Sequence, residues 1–452
     1  MPRFVQKSFV ALLGIFTLLI LLGLSIYFYR ERIYFSDPAY QLFLMINDGR
    51  IEIMTNRWPS VLFRVLPYIG MQSGASLVTL SQLFSVSFPL FHLLAFCTCL
   101  FLLKDRLMAM LILFATVIAT SETFYWCSSD LLQGVVTFII GISLYRSSWH
   151  YLIRYSLGAF FMVAAVFFHP LCLFPFFFII IDDILEKKKI SFTDLFLPLV
   201  FGAGWIIRNQ FFTTWYDTAK SAEFWGNYDG LNIWKLPAHK IFLTELPVFY
   251  NLLLLLLVVN FLIYFKNKNW LRPVFLVLSI LTYTLIIHIG NPYGAQPFYR
   301  EASYLSLAIF ISYPFLKNAF KTGTVKLKYL IVIPLLIAIS LFRIYKSAEP
   351  YTQRLQYLND NLAIAKCSKS IFTPSDKVDL KMDWAIPFET ALLSSESGKS
   401  RTLFNTKKPK DFLKKERRDV FLSPYKILYT SDFNSEYFDF ENIHYCLTEK
   451  AD

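Results

Sequence analysis

Charge is scarce in this 452-residue chain: Asp, Glu, Lys and Arg make up 17% of it, against 56% hydrophobic and 18% aromatic residues. Together with a mean hydropathy of +0.47, that scarcity excludes an ordinary soluble domain and indicates an α-helical polytopic membrane protein. Signatures of nucleotide and metal chemistry are missing too. There is no Walker loop, no Gly-x-Gly-x-x-Gly, no His-Glu-x-x-His and no Cys-x-x-Cys, so no nucleotide cradle or common zinc site is announced. Ionisable residues are also absent from the middle of the apolar runs, where ion-coupled transporters usually keep them. No Asn-x-Ser/Thr sequon occurs, which points toward a bacterial inner (plasma) membrane rather than the endoplasmic reticulum.

What is present is a succession of apolar runs. Arg3 and Lys7 precede a run over about 9–28, read as a retained anchor with a cytoplasmic N-terminus, because no short core with a small-residue cleavage site is evident. Further runs near 78–103, 107–125, 131–145, 151–168, 171–185, 194–209, 246–265, 272–289, 302–316 and 327–345 give about eleven crossings. The formal charge of +12 collects in alternate connections: Lys104/Arg106, Arg146/Arg154, Lys187–Lys189, Lys266/Lys268/Arg272 and Lys317–Lys328. The opposite short connections carry no Lys or Arg, so the positive-inside rule agrees with this order, and the basic residues face lipid headgroups rather than nucleic acid.

The chain thus divides into a transmembrane domain, 1–345, and an extracytoplasmic tail, 346–452. Outer loops at 30–77 and 210–245 share a face with the tail. The second loop is aromatic and suits the bilayer surface. In the tail, Asp419–Ser423 and Lys426–Thr430 read as strands beside a charged helical stretch at Asp411–Arg418, a small α/β domain. Cys367 and Cys446 are the only cysteine pair there and predict a disulfide, the alternative being two unpaired thiols.

The first outer loop carries the densest polar signal. Asp37-Pro38 fits an N-cap with proline at the first helical position and Gly49 a helix stop, so Pro38–Asp48 is predicted as a short helix lying in the membrane interface, with Asp37 facing water. Other ionisable residues gather at outer span ends: Asp48, Arg57, Arg64, Glu122, Asp130, His169, Arg208, Arg300 and Glu301. A carboxylate there suits removal of a proton from an acceptor hydroxyl, and guanidinium groups suit a departing lipid phosphate.

On the first span, the loop opening Asp37-Pro-Ala-Tyr40, the number of crossings and the outer C-terminal domain, the chain resembles the C-type (GT-C) superfamily of polytopic membrane glycosyltransferases, which use polyprenyl-phosphate-linked sugars. It also resembles uncharacterised bacterial membrane proteins with an Asp-x-Ala-Tyr…Asn-Arg-Trp loop. The resemblance implies transfer of a sugar from a polyprenyl-phosphate donor to a lipid or glycan acceptor at the outer face, with Asp37 as catalytic base. Tyr40, Asp48, Arg57, Arg64, His169, Arg300 and Glu301 are the candidate substrate-binding residues. Many members follow the Asp with Glu where this chain has Pro38, so a divalent metal is left open and no other cofactor is implied. Plainer readings stand beside these: capping for Asp37, headgroup pairing for Arg57 and Arg64, a turn for His169, an ion pair for Arg300-Glu301. A polysaccharide polymerase and a non-enzymatic transporter or scaffold are the alternative functions.

Overall fold

The computed structural model describes residues 3–230, 235–320, 327–365, 369–372, 380, 382–405, 433–440 and 445–447. Helix α1 (Arg3–Tyr27) is followed by the short α2 (Tyr29–Ile33), α3 (Ser36–Asp48) and α4 (Val65–Gln72). Helices α5 (Leu77–Cys97), α6 (Arg106–Val117), α7 (Asp130–Arg146), α8 (Tyr151–Phe168), α9 (Leu173–Lys187) and α10 (Phe192–Phe211) come next. After them come α11 (Trp215–Gly230), α12 (Pro237–Phe249), α13 (Asn251–Lys266), α14 (Leu271–Gly290), α15 (Pro297–Ser303), α16 (Leu305–Phe320) and α17 (Leu327–Lys346). The tail adds α18 (Glu349–Ile364), β1 (Lys369–Phe372), α19 (Ile386–Ser395), β2 (Thr402–Asn405) and β3 (Tyr445–Leu447).

Among the described residues, five helical stretches are long and apolar enough to cross a membrane, and seven if the bent pairs α10–α11 and α12–α13 each count as one span. Their outer faces leave Leu12, Phe16, Leu278, Leu281, Leu335 and Phe342 exposed, as hydrocarbon contact requires. The expected eleven spans are therefore met only in part. The clearest departure is at 107–125, where α6 ends at Val117 and a buried, non-helical segment runs to Ser129. Its backbone is held from outside: Glu301 accepts the N–H groups of Glu122 (2.9 Å) and Thr123 (3.1 Å) and the hydroxyl of Ser121 (2.7 Å), while buried Arg32 donates to the Phe124 carbonyl.

The helices pack where small residues let them approach. A Cβ placed on Gly134 of α7 would meet Cys172 Sγ at 2.5 Å and the Ala165 carbonyl of α8 at 3.1 Å, so only glycine permits that contact.

Polar residues sort into two groups at the helix ends. One group joins Asp105, Arg146, Asp182, Asp183, Glu186, Lys187, Asp194, Arg272 and Lys317 in a single ionic network. Arg272 holds Asp182 with two bonds of 2.8 Å, and Lys317 lies 2.6 Å from Asp183 and from Glu186. Asp182 is 1% exposed, and both it and Asp183 are buried and compensated by cations from neighbouring helices. The other group surrounds the first loop and the tail.

The described part of the tail shares its core with the first loop. Its described strands form a parallel sheet in the order β2-β1-β3, and its helix α19 packs on α3. Leu42, Phe43 and Ile46 of α3, read from sequence as facing the membrane interface, instead share a buried core with Phe388, Leu392 and Phe438. The predicted elements at Asp411–Arg418, Asp419–Ser423 and Lys426–Thr430 lie outside the described residues. So does the predicted disulfide, since Cys367 is not among them and only the backbone of Cys446, in β3, is described.

Candidate active site at the first loop

Helix α3 starts in an unusual way. Ser36 has φ +52°, left-handed for a non-glycine residue, and Phe35 makes no side-chain cap. The helix ends as its sequence suggests, at Gly49 with φ +63°. Asp37 is thus not the N-cap, which corrects the first expectation; its carboxylate turns into the protein. Oδ2 accepts the indole N–H of Trp126 (3.0 Å), from the buried segment after α6, and the hydroxyl of Tyr299 (3.3 Å), from α15. The two rings stand edge to face, 4.5 Å apart. Oδ1 has no hydrogen-bond partner among the described residues. Burial pushes the carboxyl pKa up; the two donors and Arg57 pull it down, and Asp130 adds to the rise.

Arg57, Asp130, Arg64 and His169 belong to the same electrostatic neighbourhood. Arg57 Nη1 donates to Asp130 at the start of α7, its guanidinium lies 6.0 Å from the Tyr216 ring centre, and its Nε is buried without a partner among the described residues. Arg64 is different. It is 5% exposed, and among the described residues its guanidinium makes one hydrogen bond, to the Glu52 carbonyl. No carboxylate forms an ion pair with it among the described residues, and burial lowers its pKa against the pull of Asp130 and Glu52. His169 accepts the Leu171 N–H on Nδ1 (3.2 Å). Burial, with Arg57 and Arg208 nearby, drops its pKa to about 3. The ring is therefore neutral and carries its hydrogen on Nε2. Arg208, itself buried, pairs with Asp217 at 3.0 Å across the bend between α10 and α11.

Comparison with protein-family models, with curated proteins and with solved structures returns no match for this chain. The geometry alone therefore carries the functional argument.

The remaining candidates lie elsewhere. Tyr40 turns toward the tail, edge-on to Phe388 (4.7 Å) and Trp384 (6.1 Å). Asp48 sits at the far end of α3 and accepts from Asn47 (3.1 Å). Arg300 is clamped by Glu245 of α12 and by the Ala295 carbonyl, beside a small cleft lined by Ala238, Asn291, Gly294 and Tyr304. Glu301 is buried and occupied by the segment 121–123, as described above. Beside it, burial and then the charge of Glu301 push the Glu122 carboxyl up to about 7, while Tyr351 donates to it at 3.1 Å.

Sequence reasoning missed Trp126 and Tyr299 as partners of Asp37, and Glu389 of the tail, which binds the Ser36 N–H (2.7 Å). Trp126 stands in the run Thr-Phe-Tyr-Trp at a span end, where an aromatic belt is the ordinary reading. Among the described residues no three of His, Cys, Asp and Glu gather as a metal-ligand set. Asp37 and Asp130 do not by themselves fit a divalent cation site.

Proposed function

We propose that the protein is a membrane glycosyltransferase of the C type, which moves a sugar from a polyprenyl-phosphate donor to a lipid or glycan acceptor at the outer face of a bacterial inner membrane. The observation that carries this reading is Asp37: a carboxylate fixed on one oxygen by Trp126 and Tyr299, with its other oxygen making no hydrogen bond among the described residues, in the field of Arg57. In this reading Oδ1 takes the proton of an acceptor hydroxyl as that oxygen bonds to the anomeric carbon. The bond from that carbon to the phosphate oxygen breaks, and polyprenyl phosphate leaves as an anion. Arg64, with no carboxylate partner, is the first ligand for that phosphate; Arg57 and Arg300 are already paired. The eleven-crossing order is part of this proposal, and what supports it is the ionic network that gathers Asp105, Arg146, Lys187, Arg272 and Lys317 from the predicted inner connections.

The test uses purified full-length protein in phospholipid vesicles, given a mixture of polyprenyl-phospho-sugars, with release of polyprenyl phosphate as the readout. Asp37→Asn keeps the side chain's shape and should slow release by about 10²–10⁴-fold. Release at the parental rate from Asp37→Asn protein would remove Asp37 as base. Passage of label across the membrane with no bond broken would favour a transporter instead.

A further inference from the structure

We propose that Glu389 in the C-terminal tail is a positioning residue for Asp37, so that docking of the tail sets the aim of the candidate base. This inference rests on the reading of Asp37 given above.

Glu389 lies on α19 and is fully buried. One of its oxygens, Oε1, accepts the backbone N–H of Ser36 at 2.7 Å. The other accepts from Arg354 of α18, whose Nε and Nη2 stand 3.0 and 2.8 Å away. Arg354 is fixed in turn by the carbonyls of Leu380 and Met382. A chain of directed bonds therefore runs from the tail's interior to the backbone amide immediately before Asp37.

Ser36 is the residue that needs such a hold. Its φ of +52° is disfavoured for any residue with a Cβ, by roughly the 5–30-fold that 1–2 kcal/mol represents. Nothing local supplies compensation, because Phe35 makes no cap. The residue is completely buried, and its N–H points at a carboxylate from a segment more than 350 positions later in the chain. That left-handed residue determines how the chain enters α3, and the entry determines where the Asp37 carboxylate meets Trp126 and Tyr299. Strain held by a distant element beside a reactive group is a feature found at functional sites. Without Glu389, Ser36 relaxes toward φ below zero and Asp37 leaves its two donors.

Glycine separates this role from simple support of the fold. At position 36 it adopts positive φ without steric cost, so Ser36→Gly should make the clamp dispensable. Two measurements on the full-length protein in vesicles test the idea. First, amide hydrogen exchange at Ser36 should quicken about tenfold or more in Glu389→Ala, while Glu389→Gln, which keeps an acceptor oxygen, should stay near the parent. Unchanged exchange in Glu389→Ala overturns the clamp, whatever the protein catalyses.

Second, in the release assay Glu389→Ala should lose about 5–30-fold of the rate, and Ser36→Gly/Glu389→Ala should recover most of it. A Glu389→Ala rate equal to the parent's, in protein that Asp37→Asn inactivates, overturns the inference and leaves the transferase reading standing. A loss that Ser36→Gly does not restore overturns it as well, since general damage to the tail would behave that way. Full activity in Asp37→Asn sinks the transferase reading itself, and with it the positioning role. If Glu389→Ala protein does not fold, Glu389→Asp, which keeps the charge but shortens the reach to the Ser36 N–H, carries the same comparison: it should lose rate and Ser36→Gly/Glu389→Asp should recover it, whereas a parental rate or an unrestored loss refutes the inference.

Discussion

A buried guanidinium with one carbonyl partner and no ion pair among the described residues keeps most of its charge available to a ligand, and Arg64 is in that position while Arg57 is not. Removing Arg64 should therefore act on binding and removing Arg57 on folding. Arg64→Met should weaken use of a polyprenyl-phospho-sugar by about 10–100-fold, the worth of a charged hydrogen bond, with a near-parental melting temperature. Arg57→Met leaves Asp130 without its cation and should lower the melting temperature first. Glu122 makes a second prediction at this scale. Its carboxyl is raised to about 7 in the folded protein from an ordinary value of about 4.3 unfolded. The folded state thus holds a proton that the unfolded state has released, so this contribution to stability is present at low pH and is lost as pH rises toward and through 7. Glu122→Gln keeps an acceptor for the Tyr351 hydroxyl and has no charge to penalise. Melting curves should show it little changed at pH 4.5 and more stable than the parent at pH 8, by at most about 4 kcal/mol. An equal effect at both pH values would show that Glu122 does not titrate in this range.

Elements differ in how plainly the sequence announces them. Long apolar runs were readable because burial in lipid needs nothing but length and hydropathy: the predicted 151–168 is α8, and 272–289 falls within α14. The stop at Gly49 was readable because its chemistry is local. The segment after α6 was not, since residues 118–129 are as apolar as a span's end and are kept from helix by partners far away in sequence. Those partners are Glu301, 178–180 positions on, and Arg32, 92 positions back. The same limit applies to Asp37: a helix cap and a buried acceptor look identical until Trp126 and Tyr299 are placed. Glu301 accordingly carries an element-scale prediction. Truncating it in Glu301→Ala leaves two backbone N–H groups and a hydroxyl buried without an acceptor, each costing about 1–3 kcal/mol. The variant should melt well below the parent, and limited proteolysis should cut near 121–126 before it cuts elsewhere. A variant that melts like the parent would mean that the segment is held by its apolar packing alone.

For the whole molecule, the question is which connections share a side of the membrane, and two independent observations bear on it. Loop charge predicts the connections at 104–106, 146–154, 187–189, 266–272 and 317–328 inside, and members of all five, Asp105, Arg146, Lys187, Arg272 and Lys317, meet in one ionic network. Buried ion pairs are rarely net stabilisers, but breaking one by removing a single partner is costly, so this network fixes which helix ends lie together. At the other group of ends, the tail is bound to the first loop by Glu396 with Tyr29, Arg30 and Tyr34, by Glu389 with Ser36, and by Asn434 with Ile46 and Asn47. A reporter fused after Lys188 or Lys268 should therefore read cytoplasmic, and reporters in the first loop or the tail should read extracytoplasmic. The packing makes the comparison between the last two the sharper measurement, because a missed or split span reverses the side predicted for the tail by counting but cannot separate it from the first loop. First-loop and tail reporters on one side, whichever side it is, agree with the contacts between α3 and α19. Opposite sides would be incompatible with those contacts, and with any influence of Glu389 on Asp37.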